Sequence, residues 1–147
     1  MLSLDLKEFI QSLNENAVRY LLIGGYALAL HGHPRYTKDL DVWVDPSEHN
    51  AAALLNALKD FGFGSLGLQS SDFTKLDQVI QLGYPPNRID LLTSADGLEF
   101  SEAYERRLFL ALDGVELSYI CLDDLITNKK ATGRLQDLAD IETLQGN

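Results

Sequence analysis

The feature that most constrains the fold is the segment from Gly24 to Asp45, GGYALALHGHPRYTKDLDVWVD. Its two glycines follow the apolar run AVRYLLI, which is typical of a buried strand. They precede YALALHG, whose pattern predicts a short helix that ends near Gly32. DLDVWV then alternates polar and apolar residues and predicts a second strand. The segment therefore predicts a strand, a glycine turn, a short helix and a second strand in close succession.

Two aspartates of the second strand, Asp39 and Asp41, share one face with Trp43, because residues i and i+2 of a strand point the same way. The other face carries Leu40, Val42 and Val44. At a separation of roughly 7 Å, two carboxylates repel each other by about 2 kcal/mol at an effective dielectric constant of about 20. A divalent cation such as Mg²⁺ would turn this repulsion into attraction. A solvent-facing edge strand that alternates by chance is the alternative interpretation of the pattern by itself.

The neighbouring residues favour a site for phosphoryl transfer. Backbone N–H groups at Gly24 and Gly25 can approach a phosphate closely. Asp90 lies in RIDLL and is a third acid in an apolar strand. Three such acids beside a glycine turn fit a site with two metal ions, in which two carboxylates bridge the metals and the third activates the nucleophile.

The remaining patterns predict an α/β (α+β) fold with a mixed β-sheet flanked by helices. The predicted order is α-β-α-β-α-β-β-α-β-β-α-α, with about five or six strands. Ser3 is expected to cap the first helix and Asp45 the third, and Asp113-Gly114 is expected to close a hairpin. Two strands joined around Pro85-Pro86, together with this hairpin, argue against an all-parallel sheet. No repeat or linker divides the chain, so residues 1–147 are expected to form a single domain.

The composition excludes several classes of protein. Apolar residues make up 46% of the 147 residues and charged residues 23%, which is typical of a globular protein. No apolar run reaches the length of a bilayer, and the acidic N-terminal segment does not resemble a signal peptide, so no membrane partner is expected. The single cysteine, Cys121, favours a reducing compartment, and a cytoplasmic location is expected. The net charge of −10 disfavours indiscriminate binding to nucleic acid.

The stretch LLIGGYALALHGHPRYTKDLDVWVD resembles the nucleotidyltransferase (DNA polymerase beta-like) superfamily. It is most similar to small bacterial members related to the toxin of the type IV abortive-infection toxin–antitoxin pair. The ending NKKATGRLQDLADIETL is similar to the C-terminal helices of that family. Tyr26 stands where many members have a serine. The resemblance implies a nucleotidyltransferase-like fold and a Mg²⁺-dependent transfer of a nucleoside monophosphate from an NTP to a hydroxyl acceptor, with a place in a toxin–antitoxin system.

The resemblance also implies roles for individual residues. Asp39, Asp41 and Asp90 are expected to be catalytic and to bind two Mg²⁺ ions, with Mn²⁺ as an alternative metal. The residues expected to contact the nucleotide are Gly24, Gly25, Arg35, Lys38, Lys129 and Arg134. Arg88, two residues before Asp90, adds to the basic residues near the acids. Pairing within the protein is the alternative, for example between Arg134 and Asp137 one helical turn apart.

The sequence leaves the acceptor open among the end of a tRNA, a small molecule and a protein side chain. A partner protein could supply an acceptor-binding region. An alternative function is a catalytically degenerate module that binds a nucleotide or a partner without turnover. A metal-dependent phosphohydrolase would use the same carboxylates. Trp43 is expected to pack in the core, and stacking on a base is the alternative.

Overall fold

The computed structural model describes residues 3–33, 39–84 and 87–146. The helices are α1 (Leu4–Glu15), α2 (Gly24–Leu30), α3 (Glu48–Phe61), α4 (Ser71–Thr74), α5 (Phe100–Glu105), α6 (Leu122–Thr132) and α7 (Leu135–Leu144). The strands are β1 (Tyr20–Ile23), β2 (Asp39–Val44), β3 (Val79–Leu82), β4 (Arg88–Leu92), β5 (Leu108–Leu112) and β6 (Val115–Tyr119). The predicted order is confirmed, with α4 and a short 3-10 turn at Gly64–Leu66 added between α3 and β3.

The strands form one mixed sheet in the order β3-β4-β2-β1-β6-β5. β2 runs parallel to β4, and β1 runs parallel to β6, whereas the other neighbours are antiparallel. The predicted hairpin is confirmed: Asp113 and Gly114 have φ values of 52° and 81°, as a tight turn between β5 and β6 requires. The predicted connection at Pro85-Pro86 lies outside the described residues.

A hydrophobic core lies on each face of the sheet, and β2 contributes to both because its side chains alternate. Leu40, Val42 and Val44 pack into the larger core with residues of α1 and α3. Trp43 enters the smaller core, where its ring meets Phe100 edge-on at 5.2 Å between centroids. With 1% of its surface exposed, Trp43 is a core residue, so the predicted core packing is confirmed and the alternative, stacking on a base, is wrong.

The helix caps were predicted in part. Ser3 caps α1 by accepting a hydrogen bond from the backbone N–H of Leu6, as expected. The predicted cap of α3, Asp45, is wrong, because Ser47 directly precedes the helix and accepts from the backbone N–H of Asn50. Asp45 accepts instead from the backbone N–H of Ser47. Among the helices described, none has the length and apolar character needed to cross a membrane.

Candidate active site

The parallel pairing of β2 with β4 brings the predicted acids together. In this register Asp41 lies beside Asp90, and Asp39 lies beside Arg88. Neighbouring strands are about 4.8 Å apart, so Asp41 and Asp90 project side by side. The sequence places each acid on a strand, and the sheet makes them neighbours.

Arg88 bridges two of the three carboxylates. Its Nη2 donates to Asp39 Oδ2 at 2.8 Å and to Asp90 Oδ2 at 3.2 Å. These contacts hold the pKa of the guanidinium above its ordinary value, chiefly through the hydrogen bond to Asp90. One feature of the sequence points to this arrangement: Arg88 and Asp90 are two residues apart on a strand and share a face.

The environment of Asp41 disfavours a negative charge. Burial raises the pKa of this carboxyl to about 7, and the charges of Asp90 and Asp39 add to the rise. Arg88 and Arg134 act in the opposite direction. Protonation or a nearby cation would therefore stabilise the Asp41 side chain.

Gly24 allows the chain to pass close to Asp41. Its φ is +66°, a backbone conformation that L side chains rarely adopt. A Cβ at this position would also collide with Oδ2 of Asp41. Both the backbone conformation and the close approach therefore require glycine at this turn.

Asp90 has an unsatisfied oxygen at the site. The residue is 8% exposed, and its buried Oδ1 has no hydrogen-bond partner among the described residues. Buried carboxylate oxygens are normally paired with a donor or a cation. Three carboxylates with one orphaned oxygen are a donor set that suits Mg²⁺. Within the ranges described, however, no three acidic, histidine or cysteine side chains stand in a metal-binding arrangement, and Arg88 holds oxygens of two of the acids.

A cavity of about 620 Å³ opens beside the acids. The sheet and the loops next to it contribute Ile23, Gly24, Asp41, Asp77, Gln78, Val79, Asp90, Leu92, Ser94, Ala95 and Asp96. The C-terminal helices and their connection contribute Asn128, Lys129, Thr132, Arg134 and Asp137. The volume lies within the range of about 300–1,000 Å³ that is common for small-molecule sites. Asp77, Asp96 and Asn128 were not predicted as site residues, because only the tertiary fold brings their segments to the acids.

The C-terminal helices add an ion-pair network to the cavity wall. Lys129 is 4% exposed, and its Nζ donates to Asp140 at 2.8 Å and lies 3.6 Å from Asp137. The predicted pair of Arg134 with Asp137 is confirmed, with Arg134 Nε 2.7 Å from the carboxylate. Burial alone would raise the pKa of Asp137, but hydrogen bonds from Arg134 and Thr132 together lower it to about 2. The Arg134 side chain remains 75% exposed, so it can still meet a ligand.

The remaining residues singled out from the sequence are Gly25, Tyr26, Arg35 and Lys38. Gly25 is buried in the first turn of α2, next to Gly24. Tyr26 is half-buried and packs against the larger core. Arg35 and Lys38 lie outside the described residues.

Comparisons with known proteins bear on the family and the fold of the chain. Residues 3–145 match the model of a family described as "Nucleotidyltransferase of unknown function (DUF6036)". A solved structure from Thermotoga maritima, provisionally described as a nucleotidyltransferase, is similar, with a TM-score of 0.61 and 17% identity over 95% of this chain and 88% of that one. An antigenic nucleotidyltransferase-like protein from Paracoccidioides brasiliensis gives a TM-score of 0.55 and 19% identity over 97% of this chain and 77% of that one. No curated protein matches the sequence.

Proposed function

Since the chain belongs to this family of nucleotidyltransferases, we propose that it transfers a nucleoside monophosphate from an NTP to a hydroxyl group of an acceptor. The observation that carries the proposal is the strand register that sets Asp41 beside Asp90, with Asp39 on the same strand as Asp41. Asp41 and Asp90 line a cavity whose volume suits a nucleotide. A carboxylate cluster beside a glycine turn is the arrangement that metal-assisted phosphoryl transfer needs.

Asp39, Asp41 and Asp90 would hold the two Mg²⁺ ions, with Mn²⁺ as an alternative. When bound, such ions neutralise the phosphate charges and stabilise the departing pyrophosphate. Asp90 would also accept the proton of the acceptor hydroxyl, since its Oδ1 has no other hydrogen-bond partner in the part of the chain that the structure describes. The hydroxyl oxygen then bonds to the α-phosphorus, and the bond from that phosphorus to the bridging oxygen breaks.

The phosphates would be bound by backbone and by basic side chains. Gly24 and Gly25 can present backbone N–H groups, because at Gly24 no side chain separates the chain from the site. Arg134 is exposed at the cavity and can reach a phosphate, whereas Lys129 is buried and would act mainly through its charge. Arg35 and Lys38 remain predicted nucleotide contacts on the basis of the sequence.

Two observations favour a second function, the binding of a nucleotide or a partner without turnover. Arg88 occupies oxygens of both Asp39 and Asp90, which metal ions would need. Tyr26 also stands where many superfamily members have a serine. If Arg88 stays in place when a nucleotide binds, the site binds without reacting.

Thermal unfolding with each NTP, with and without Mg²⁺, tests the site first. A ligand at 100 times its dissociation constant should add about 2.7 kcal/mol, which corresponds to roughly 5–10 °C for a chain of this size. Asp41→Asn should abolish this shift, whereas Asp123→Asn, at an exposed position in the first turn of α6, should retain it. If no NTP gives a Mg²⁺-dependent shift, or Asp41→Asn keeps the shift, the proposed site is wrong.

Incubation with NTP labelled at the α-phosphate then separates the functions. A labelled adduct on RNA, a small molecule or a protein, with release of pyrophosphate, would establish transfer. A Mg²⁺-dependent shift without any adduct would favour the binding module, and release of inorganic phosphate would favour a phosphohydrolase. The net charge of −10 makes RNA the least favourable of the three acceptors.

We further propose that the reaction at this site makes the chain the toxin of a toxin–antitoxin pair. This role predicts that expression of the chain arrests bacterial growth and that Asp41→Asn relieves the arrest. It also predicts that a partner protein protects the cell. Growth arrest that persists in Asp41→Asn would separate toxicity from the site.

A further inference from the structure

The edge strand β5 has an unusually apolar surface. β5 is the last strand of the sheet and has the sequence LFLAL. Leu108, Phe109 and Leu110 are 40%, 51% and 41% exposed. Within the described ranges, no strand pairs with the outer side of β5. Edge strands are usually protected by charged residues, proline or bulges, and the five residues of β5 include neither charge nor proline.

The charges that flank β5 are complementary when the strand is reversed. Arg107 directly precedes the strand, and Asp113 directly follows it. If the strand is paired antiparallel with a second copy of itself about Leu110, each Arg107 lies opposite Asp113 of the other copy. The same register sets Leu108 opposite Leu112, and every other register loses the two ion pairs.

We propose that β5 is a dimerisation strand, which pairs antiparallel with β5 of a second copy of this chain in the register centred on Leu110. Such an interface is isologous, with a twofold axis through the Leu110 pair. The two sheets become one continuous sheet across the axis. A partner with another sequence would have to reproduce an apolar strand with acid and base at matching ends, whereas a second copy has them.

The side-chain faces of β5 support this register. Leu108, Leu110 and Leu112 lie opposite Tyr119, Leu117 and Val115 of β6. These three β6 residues belong to the larger core. The leucines of β5 therefore extend that core toward the edge, and two copies would join their leucines into one apolar surface.

Phe109 lies on the opposite face of the strand, where the Arg107 guanidinium is 4.7 Å from its ring centroid. The same guanidinium is 3.7 Å from the Tyr104 ring centroid, and its Nη1 donates to the Tyr104 carbonyl at 2.9 Å. These contacts hold Arg107 at the start of β5. In the proposed dimer, this residue lies opposite Asp113 of the second copy.

Sedimentation equilibrium measures the proposed dimer directly. The wild-type chain should be dimeric at micromolar concentration. Leu110→Lys sets two like charges opposite each other on the axis and should weaken the dimer at least about tenfold. Leu66→Lys is the matched control, because Leu66 is 54% exposed in the 3-10 turn, and this variant should dimerise normally. Circular dichroism would confirm that both variants are folded.

A pair of charge-reversed chains tests the register. Because Asp113 stands in the hairpin turn with a φ of 52°, circular dichroism must first show that each variant is folded. Arg107→Asp places acid opposite acid at both ends of its homodimer, and Asp113→Arg places base opposite base. Each variant alone should be mainly monomeric. Their equimolar mixture should form a heterodimer, because both ends then pair opposite charges. A monomeric wild type, equal dimerisation of Leu110→Lys and Leu66→Lys, or a mixture that stays monomeric would each overturn the proposal.

Discussion

Replacement of Asp140 by alanine is expected to destabilise the fold by about 3 kcal/mol, because it leaves a buried ammonium without its nearest carboxylate. Lys129 and Asp140 are 4% and 5% exposed, and their charged atoms are 2.8 Å apart. Removal of one partner of a buried pair typically costs about 3–5 kcal/mol. The lower end of this range applies, since Asp137 remains 3.6 Å from the Lys129 ammonium.

Urea unfolding at neutral pH measures this loss, and thermal unfolding should show a fall of roughly 6–12 °C for a chain of this size. Glu142→Ala is the control, because Glu142 lies on the same helix and is exposed. A surface change of this kind should alter stability by less than about 0.5 kcal/mol. A large loss in both variants would mean that alanine in α7 is harmful regardless of the ion pair.

A double-mutant cycle with Lys129→Met isolates the interaction. In the Lys129→Met background the ammonium is gone, so Asp140→Ala should cost at least about 1 kcal/mol less than in the wild type. Additivity within about 0.5 kcal/mol would refute the buried pair. The folded Lys129→Met variant also tests the predicted nucleotide contact, because loss of the NTP-dependent shift without loss of structure would assign Lys129 to the ligand.

Three further predictions follow from the site. In urea unfolding, Gly24→Ala should lose about 1–3 kcal/mol more of the free energy of unfolding than Gly32→Ala. Both glycines have a positive φ, but only a Cβ at Gly24 would collide with Asp41. Equal losses would show that this collision does not contribute. Arg88→Ala frees the two carboxylates that it bridges, so Mg²⁺ should raise the melting temperature of this variant more than that of the wild type; an unchanged response would contradict competition between arginine and metal. The pKa of Asp137 is lowered to about 2, so its carboxylate should contribute about 2 kcal/mol to the free energy of unfolding above about pH 4. This contribution should be lost as the pH falls toward 2. The free energy of unfolding of Asp137→Asn should not show this fall.

The fold was predictable from the sequence where local patterns decide the structure. The alternation of DLDVWV predicted both faces of β2, because a period of two assigns successive side chains to opposite faces of a strand. The Asp113-Gly114 turn was predicted because its positive φ angles favour these residue types. The strand order was not predictable. β2 pairs with β4 across about forty residues of intervening chain, and local sequence patterns do not determine which distant strands pair.

The same distinction applies to the candidate site. The pairing of Arg134 with Asp137 is a contact between residues i and i+3 of one helical turn, and it was predicted. The burial of Lys129 depends on the packing of α6 against α7, and the polar sequence of α6 gives little indication of it. The bridging role of Arg88 depends on the register of two strands that are distant in the chain.

The arrangement of the acids implies a conflict between stability and function. The pKa of Asp41 is raised to about 7, chiefly by burial and then by Asp90 and Asp39, so its ionised form is disfavoured in the folded chain. The protonated Asp41 side chain is compatible with its buried position, so its contribution to stability is fully present below about pH 4. This contribution is lost as the pH rises through 7 and the carboxyl ionises. Asp41→Asn should therefore stabilise the ligand-free protein at pH 8, by up to about 4 kcal/mol, and have little effect near pH 4.

The reverse is expected once Mg²⁺ and an NTP are added, because bound cations would convert the repulsion at Asp41 into attraction. Wild-type protein should then gain stability, and Asp41→Asn should gain little. Urea unfolding of both chains at pH 8, with and without Mg²⁺ and NTP, measures the crossover. If Asp41→Asn is less stable than the wild type without ligand, the carboxylate supports the fold, and burial with like charges does not explain its environment. If Asp41→Asn is more stable than the wild type both with and without ligand, the Asp41 charge stabilises neither the fold nor the complex. The acids of β2 then need another explanation.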